Sequence, residues 1–554
     1  MHPVIEGILE KRGLADTESF LNPSYDGRQS PFLLLDMEKA VDRILRAMKS
    51  NEKIAVWHDY DCDGIPGGAL LYDFFRTIRY PVVTYVPERN QGYGLNEEGL
   101  TKLSEEGVTL VITVDCGITD VAEVTHAAAL GIDIIVTDHH LPQKDLPAAY
   151  AVVNAHREGD QYPFKDLCGT GVAFKLVEAL IEKGNFAIPK GTEKWLLDLV
   201  ALATVADMVP LTGENRALVS YGLKVLRRGR RPGMRALFEA QNIPVMHVVE
   251  DDLSFSIAPK VNASSRMASP KYAFELLTTE SSERARILAK QLVKLNHERK
   301  LEGLRVAKEV KQKIDAMPVL GSIVVLGSSS WRPSLLGIAA TSVVETYGKT
   351  VCLWGKDGEL IKGSCRGNGD VNIVTLLSEA KEAFLDFGGH ELSGGFSLSA
   401  ESIHTLVSRL ENAFSSVGTR REATKEERGT DAIITLPEIT NGFFDSLRSL
   451  APFGESNPKP LFHVRNVAVA RIAFFGAHKE HTRITLADDS GAAIDAVSFF
   501  TSRCAFKDSL GLLSEGDLVS IEATLERSYF GGKKELRLRL ENLTLYPVYA
   551  AATP

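Results

Sequence analysis

The chain has 554 residues, of which 44% are hydrophobic and 24% charged, and its formal net charge is −9. That length passes the ~250–300 residues at which a single core stops growing, so several domains are expected, and the composition excludes a disordered chain, a collagen and a disulfide scaffold. The acidic average opposes polyanions, no apolar run approaches the ~20 residues of a membrane span, and residues 1–20 lack the basic-then-apolar order of an export signal, so a cytoplasmic protein without a membrane partner is expected. From about residue 40 to 210 short apolar runs alternate with helical-period stretches. KIAVWHDYD, YPVVTYVP, VTLVITVD and IDIIVTDHH read as strands, while GGALLYDFFRTI, LNEEGLTKLSEEG and VAEVTHAAALG read as helices. Continuous apolar strands separated by helices are the pattern of a parallel α/β sheet covered on both faces, in which ligands bind beyond the carboxyl ends of the strands.

A charge-rich helical segment follows around Glu283 to Ala316, read as a solvated spacer between domains. A second α/β unit begins at SIVVLG and runs to about residue 415, and the polar stretch 415–431 reads as a linker. The strand-like pieces after APFGESNPKP, bounded by Gly and Asp turns, suggest a small β-barrel. No internal repeat is evident. The cysteines at 62, 116, 168, 352, 365 and 504 form no CxxC pair, so a cysteine zinc site is not expected, and in a reducing compartment no disulfide is required.

Acidic residues and a His pair fall where the strands end. The first strand leads into Asp59, Asp61, Asp63 and Gly64, the third into Asp115, and the fourth into Asp138, His139 and His140. Asp207 follows another apolar run, WLLDLVALATVA, and His58 stands beside the first group. An Asp-rich loop alone is also a calcium loop or a turn, and a lone strand-end Asp is also a helix cap. Their joint occurrence at consecutive strand ends points to a site, because carboxylates so crowded repel one another unless cations neutralise them. Oxygen ligands with one or two imidazoles suit manganese or magnesium, and two such ions sharing a carboxylate serve phosphoester hydrolysis.

These motifs resemble the signature motifs of the DHH phosphoesterase superfamily, named for the triplet at 138–140. Over its length the chain is similar to the RecJ family of single-strand-specific exonucleases, in ILEKRGL, FLNPS, DMEKAVDRI, GYGLN, VVNAHR, APKVNASSRM, FGGHELSGGFSL and APFGESNPKPLF. The resemblance implies an α/β fold: a parallel-sheet DHH catalytic domain with an N-terminal extension (1–240), a connecting helical region carrying NASSRM (241–318), a DHH-associated substrate-binding domain (319–430) and an OB-fold domain (431–554). It implies two Mn²⁺ or Mg²⁺ ions held by Asp61, Asp63, Asp115, His139 and Asp207, with Asp115 bridging. Asp59 and Asp138 would orient ligands, and His140 would face the scissile phosphate. Arg266, Ser364, Arg366, Gly388, Gly389 and His390 would hold the terminal nucleotide's phosphates and so set polarity. The implied reaction is 5′→3′ hydrolysis of single-stranded DNA to 5′-mononucleotides in recombination and repair, alongside a helicase and a single-strand-binding protein.

Three departures from the family pattern stand out: Cys62 where Ala is usual, NASSRM in place of an Ala-Gly before the Arg, and WRPSLLG at 331–337 without the usual His and Gly. No metal-ligand position is lost. Two basic concentrations could track a phosphate backbone. One is the acid-free run from Arg216 to Arg235; the other is RSYFGGKKELRLR, with Tyr529 and Phe530 beside Lys533, Lys534, Arg537 and Arg539. Two other functions are weighed. A DHH phosphodiesterase for short oligonucleotides or cyclic dinucleotides generally lacks the region 455–550, and a Cdc45-like replication scaffold loses ligands, whereas here the acidic set is intact.

Overall fold

Strands with no polar face must be covered on both sides, and the first five pair accordingly. In the computed structural model, which describes residues 2–14, 16–417, 429–476, 479–529 and 534–546, β1 (Lys53–His58), β2 (Val82–Tyr85), β3 (Val108–Val114), β4 (Asp133–Thr137) and β5 (Ala151–Val153) form one parallel sheet in the order β2-β1-β3-β4-β5. Helices fill the crossovers from β1 through β4, whereas β4 reaches β5 through the loop 138–150. One face packs Trp57, Val111 and Val136 against Leu100, Leu103 and Val124 of helices Glu97–Glu105 and Val121–Ala129.

The second α/β part holds β6 (Ile323–Gly327), β7 (Thr350–Asp357), β8 (Leu360–Arg366), β9 (Asp386–His390) and β10 (Ser393–Leu398), ordered β6-β7-β8-β10-β9. Only β6 and β7 run parallel; the rest of the sheet is antiparallel. Cys352 and Cys365 stand opposite each other on β7 and β8 and are joined as a disulfide, a pairing the sequence reading did not include because it depends on the strand register.

The charge-rich segment is one helix, Ser282–Asp315, of 34 residues, about 50 Å at 1.5 Å per residue. The spacer reading needs correction, because Leu288, Leu292, Val306, Val310 and Ile314 are buried along its length. It packs on helices Pro232–Ala240, Ala258–Met267 and Pro333–Tyr347, so its charges occupy only the outward stripe.

The remaining strands are β11 (Ala432–Ile433), β12 (Leu461–Phe475), β13 (His481–Ala487), β14 (Ala493–Ser498), β15 (Leu518–Ser528) and β16 (Glu535–Leu545). Pairing of β12 with both β13 and β15 closes five of them into a barrel, with β11 added along β12. The chain divides into two compact units, 29–209 with 221–425 and 1–28 with 210–220 and 426–554. Ile5, Ile8 and Leu9 of helix Pro3–Lys11 are thus part of the barrel's core, beside Leu450, Phe462 and Leu543. Most of the expected linker, 418–428, lies outside the described residues. Among the described residues, no helix is long and apolar enough to cross a membrane.

Candidate metal centre and substrate cavity

The parallel ladder runs one residue past β1, β3 and β4, and in each of these three cases that residue is an aspartate. The amide of Asp59 donates to Val114 O at 3.2 Å, that of Asp115 to Thr137 O at 3.0 Å and that of Asp138 to Val153 O at 3.1 Å. The backbone is thereby fixed to the neighbouring strand at one edge of the sheet, where the site's carboxylates gather. Asp115 has φ 62, a left-handed conformation that costs energy in a non-glycine residue and is a recurrent feature of functional sites.

The loop after β1 is built around its own carboxylates. Asp61 Oδ1 accepts from the amides of Asp63 at 2.8 Å and Gly64 at 3.1 Å, which opens helix Gly64–Thr77. Asp63 accepts from the amides of Gly169 at 2.6 Å and Thr170 at 2.8 Å, the first residues of helix Gly169–Gly184, whose dipole favours a negative charge there. Only glycine fits at 169, because a Cβ would lie 2.5 Å from that of Asp115.

His139 Nε2 lies 3.2 Å from Asp115 Oδ1 and 3.7 Å from both Asp63 Oδ2 and Asp207 Oδ2. Asp207 caps the C-terminus of helix Leu197–Ala206, where the dipole opposes a carboxylate. Three sets of potential ligand atoms each lie within 4.8 Å of one another: Asp59, Asp61 and Asp115; Asp63, His139 and Asp207; and Asp115, His139 and His140. Asp115 belongs to two of them. Asp59, read from the sequence as an orienting group, therefore sits among the candidate ligands themselves.

The electrostatics are those of a site short of cations. Burial and the charges of neighbouring aspartates push Asp59 and Asp115 well above the ordinary carboxylate range. Burial, then Asp63 and Asp61, push Asp207 up to about 8. Oδ1 of Asp59 and Oδ1 of Asp115 are buried and receive no hydrogen bond. Oxygen-rich donors, one or two imidazoles and orphaned buried oxygens fit hard divalent ions.

His140 differs from its neighbour. Burial pushes His139 down, whereas at His140 the opposing pull of Asp138, 2.8 Å from Nδ1, outweighs burial and raises it to about 9. Asp138 is held below its usual value: burial alone would raise it, but the hydrogen bond and charge of His140 prevail. Three residues position this pair that the sequence reading left without roles. Tyr93 Oη lies 3.1 Å from His140 Nδ1 and donates to Asp115 O at 2.7 Å, Asn154 Nδ2 donates to His140 O at 2.9 Å, and the Ile118 amide donates to Asp138 Oδ2 at 3.0 Å. Tyr93 and Asn154 belong to GYGLN and VVNAHR, so the signal was present as family resemblance. His58 is fully buried, stacked on Phe274 and bonded through Nδ1 to Asp59 O.

A cavity of about 760 Å³ is lined from both α/β parts, with Tyr60, Arg89 and Arg266 on one side and Ser334, Ser364 and Arg366 on the other. Arg266 donates to Ser334 O at 3.0 Å while Ser334 Oγ donates back to Arg266 O at 2.9 Å; Ser334 stands where the family motif has Gly. Arg366 donates to Ser364 Oγ at 3.0 Å, and the Arg89 guanidinium lies 4.6 Å over the Tyr60 ring. None of the three guanidiniums has a carboxylate within ion-pair distance among the described residues, and burial, then Arg89, push Arg266 down to about 9. Gly389 lines this cavity, whereas Gly388 and His390 are exposed on β9 and do not. Arg89 and Tyr60 were not singled out from the sequence.

Part of the basic run from Arg216 to Arg235 is turned inward, while Lys224, Arg228 and Arg230 stay exposed. Arg231 is buried between Asp73 and Asp198, each at 2.6 Å, and Arg227 and Arg235 donate to Val248 O and Ser282 Oγ. Arg216 donates to the carbonyls of Phe20, Ser449, Ala451 and Pro452. These four cations therefore serve the packing of the fold rather than its surface. In the barrel, Phe530 and Lys533 lie outside the described residues. Arg537 and Arg539 lie 5.4 and 5.8 Å over Phe499, beside Phe475, His481 and Phe500, an aromatic group drawn from separate strands and therefore invisible in the linear pattern.

Comparison with known proteins agrees with this architecture. Residues 53–204 match the DHH family N-terminal domain, 318–416 the DHHA1 domain and 430–542 the RecJ OB domain. The chain is 34% identical to the single-stranded-DNA-specific exonuclease RecJ of Bacillus subtilis over 90% of its own length, spanning 63% of that relative. It is 32% identical to the Dickeya dadantii enzyme of the same name, covering 98% of this chain and 96% of that one. Among solved structures, RecJ of Thermus thermophilus in complex with Mn²⁺ superposes with a TM-score of 0.79 and 26% identity, over 98% of this chain and 76% of that one.

Proposed function

Because the chain belongs to the RecJ family of single-stranded-DNA-specific exonucleases, we propose that it is itself a divalent-metal-dependent exonuclease that degrades single-stranded DNA from the 5′ end to 5′-mononucleotides, in recombination and repair. The observation that carries this reading is the set of crowded carboxylates with orphaned buried oxygens, in the same compact unit as a cavity whose lining includes Arg89, Arg266 and Arg366, none with a carboxylate at ion-pair distance among the described residues.

Asp59, Asp61 and Asp115 would hold one ion and Asp63, His139 and Asp207 the other, and Asp115, which also groups with His139 and His140, would be the shared carboxylate that the family resemblance implies. Two Mn²⁺ or Mg²⁺ ions supply Lewis-acid stabilisation of the phosphate charge and lower the pKa of water. The chain's own residues do the rest. His140, hydrogen-bonded to Asp138 through Nδ1 and positioned by Tyr93 and Asn154, donates a hydrogen bond to the scissile phosphate. Arg266, Ser364, Arg366 and the newly found Arg89 hold the terminal 5′ phosphate, which sets polarity. Ser334 fixes Arg266 in place where the family motif departs.

The four-part organisation with boundaries near 240, 318 and 430 remains our proposal, with 1–28 and 210–220 grouped with the barrel. We also infer a cytoplasmic setting and cooperation with a helicase and a single-strand-binding protein. The closed barrel speaks against a phosphodiesterase restricted to dinucleotides, and the intact acidic set speaks against a Cdc45-like scaffold. Incubation with end-labelled single-stranded DNA and Mn²⁺ tests the function: mononucleotides should accumulate from the 5′ end, and release from dinucleotides alone would overturn it.

A further inference from the structure

Lys260 has a mostly covered side chain whose ammonium is not itself shut off from solvent and has no counter-charge among the described residues. It lies in helix Ala258–Met267, is 5% exposed, and makes no hydrogen bond or ion pair with its side chain among the described residues. Burial pushes it down to about 8, and Lys300 and Arg299 push in the same direction. Those two residues belong to helix Ser282–Asp315, which packs directly on helix Ala258–Met267. Arg299 donates only to Asn296 Oδ1, at 3.2 Å, and Lys300 is exposed. The nearby acids of that helix are engaged elsewhere, Glu298 with Lys294 at 3.8 Å and Glu302 with Arg305 at 2.6 Å.

Like charges gathered on two packed helices repel one another unless an anion joins them. Here three cations converge and none has an acid partner among the described residues. Arg299 acts electrostatically on Arg266 as well as on Lys260, so this positive group continues the one that lines the cavity. An anion is the missing component, and along a strand held at its 5′ end the next anions are its internucleotide phosphates.

We propose that Lys260, Arg299 and Lys300 form a second phosphate subsite, which takes an internucleotide phosphate of the single strand beyond the nucleotide being removed. This subsite rests on the single-strand reading above. It holds the remaining strand after each cut, which favours repeated hydrolysis over release.

The test uses the full chain with Mn²⁺ and a nuclease-resistant phosphorothioate oligothymidylate, with affinity followed by fluorescence anisotropy across a salt series. Lys260→Met should weaken binding about tenfold and reduce the slope of log affinity against log salt by about 0.7, the value for one single-strand phosphate contact. Without DNA its melting temperature should be unchanged or higher, because one of three mutually repelling cations has been removed. Lys300→Gln, at an exposed position, should lower the slope without touching the core. An unchanged slope in both variants, or a lowered melting temperature of Lys260→Met with unchanged affinity, would overturn the subsite. If the parent chain degrades ordinary single strands while both variants bind as it does, the subsite alone fails; if the parent neither binds nor degrades them, the exonuclease reading fails with it.

Discussion

At the scale of single residues, Asp115 concentrates the chemistry. Its backbone is left-handed and its amide bonded to Thr137 O, its Oδ1 is buried without a hydrogen bond, and burial and four other aspartates raise its pKa. Such a side chain destabilises the metal-free fold and is stabilised only when cations arrive. Asp115→Asn should therefore lose more activity than the ~10–100-fold that removal of an outer-shell partner costs, while its melting temperature without metal stays level or rises. In scanning fluorimetry, Mn²⁺ should stabilise the parent chain and fail to stabilise the variant. A large Mn²⁺-dependent shift retained in Asp115→Asn would remove the residue from the ligand set. The aspartates and the His pair were legible in the sequence because they follow apolar strands directly. Tyr93 and Asn154 stood in family-like segments but without roles, and Arg89 gave no signal, because each reaches the site from a loop whose position only the packed sheet defines.

Among elements, the helices around the sheet are locked together by Arg231. Its guanidinium bridges Asp73 of helix Gly64–Thr77 and Asp198 of helix Leu197–Ala206, and donates to Leu277 O as well. Read along the chain, RRGRR is a basic patch; in the fold its last arginine is a buried cross-brace. Periodicity could have hinted at this, since Arg231 immediately precedes the helix start at Pro232, but its two acidic partners lie 158 and 33 residues away. Breaking a buried ion pair leaves uncompensated charge, so Arg231→Ala should cost ~3–5 kcal/mol. Urea unfolding should show a midpoint lowered accordingly, and a change below about 1 kcal/mol would mean that Asp73 and Asp198 find other partners. Because both helices carry site loops, with Asp63 before one and Asp207 after the other, activity should fall along with stability.

For the whole molecule, the order of α/β sheet, long helix, second sheet and barrel was readable from alternating patterns, but the grouping of distant segments was not. Residues 1–28 looked like an extension of the catalytic domain because they precede it. Their apolar residues Ile5, Ile8 and Leu9 instead complete the barrel's core, Arg12 pairs with Asp431 at 3.1 Å, and Arg216 is capped by carbonyls of 449–452. Removing everything after residue 428 would strip those side chains of their partners and expose a fully buried arginine. A Leu-sized side chain loses about 1.5–3 kcal/mol when its burial is undone, so three of them cannot hold helix Pro3–Lys11 in place. The truncated chain should aggregate or lose its first 28 residues to mild proteolysis, as read by size-exclusion chromatography and mass spectrometry. A monomeric, protease-resistant truncation would instead show that the N-terminal segment folds independently of the barrel. Any weakening of strand binding in such a truncation therefore cannot be assigned to the barrel surface alone; substitution at exposed Phe500, beside the rings of His481 and Phe499, isolates that surface while leaving the shared core intact.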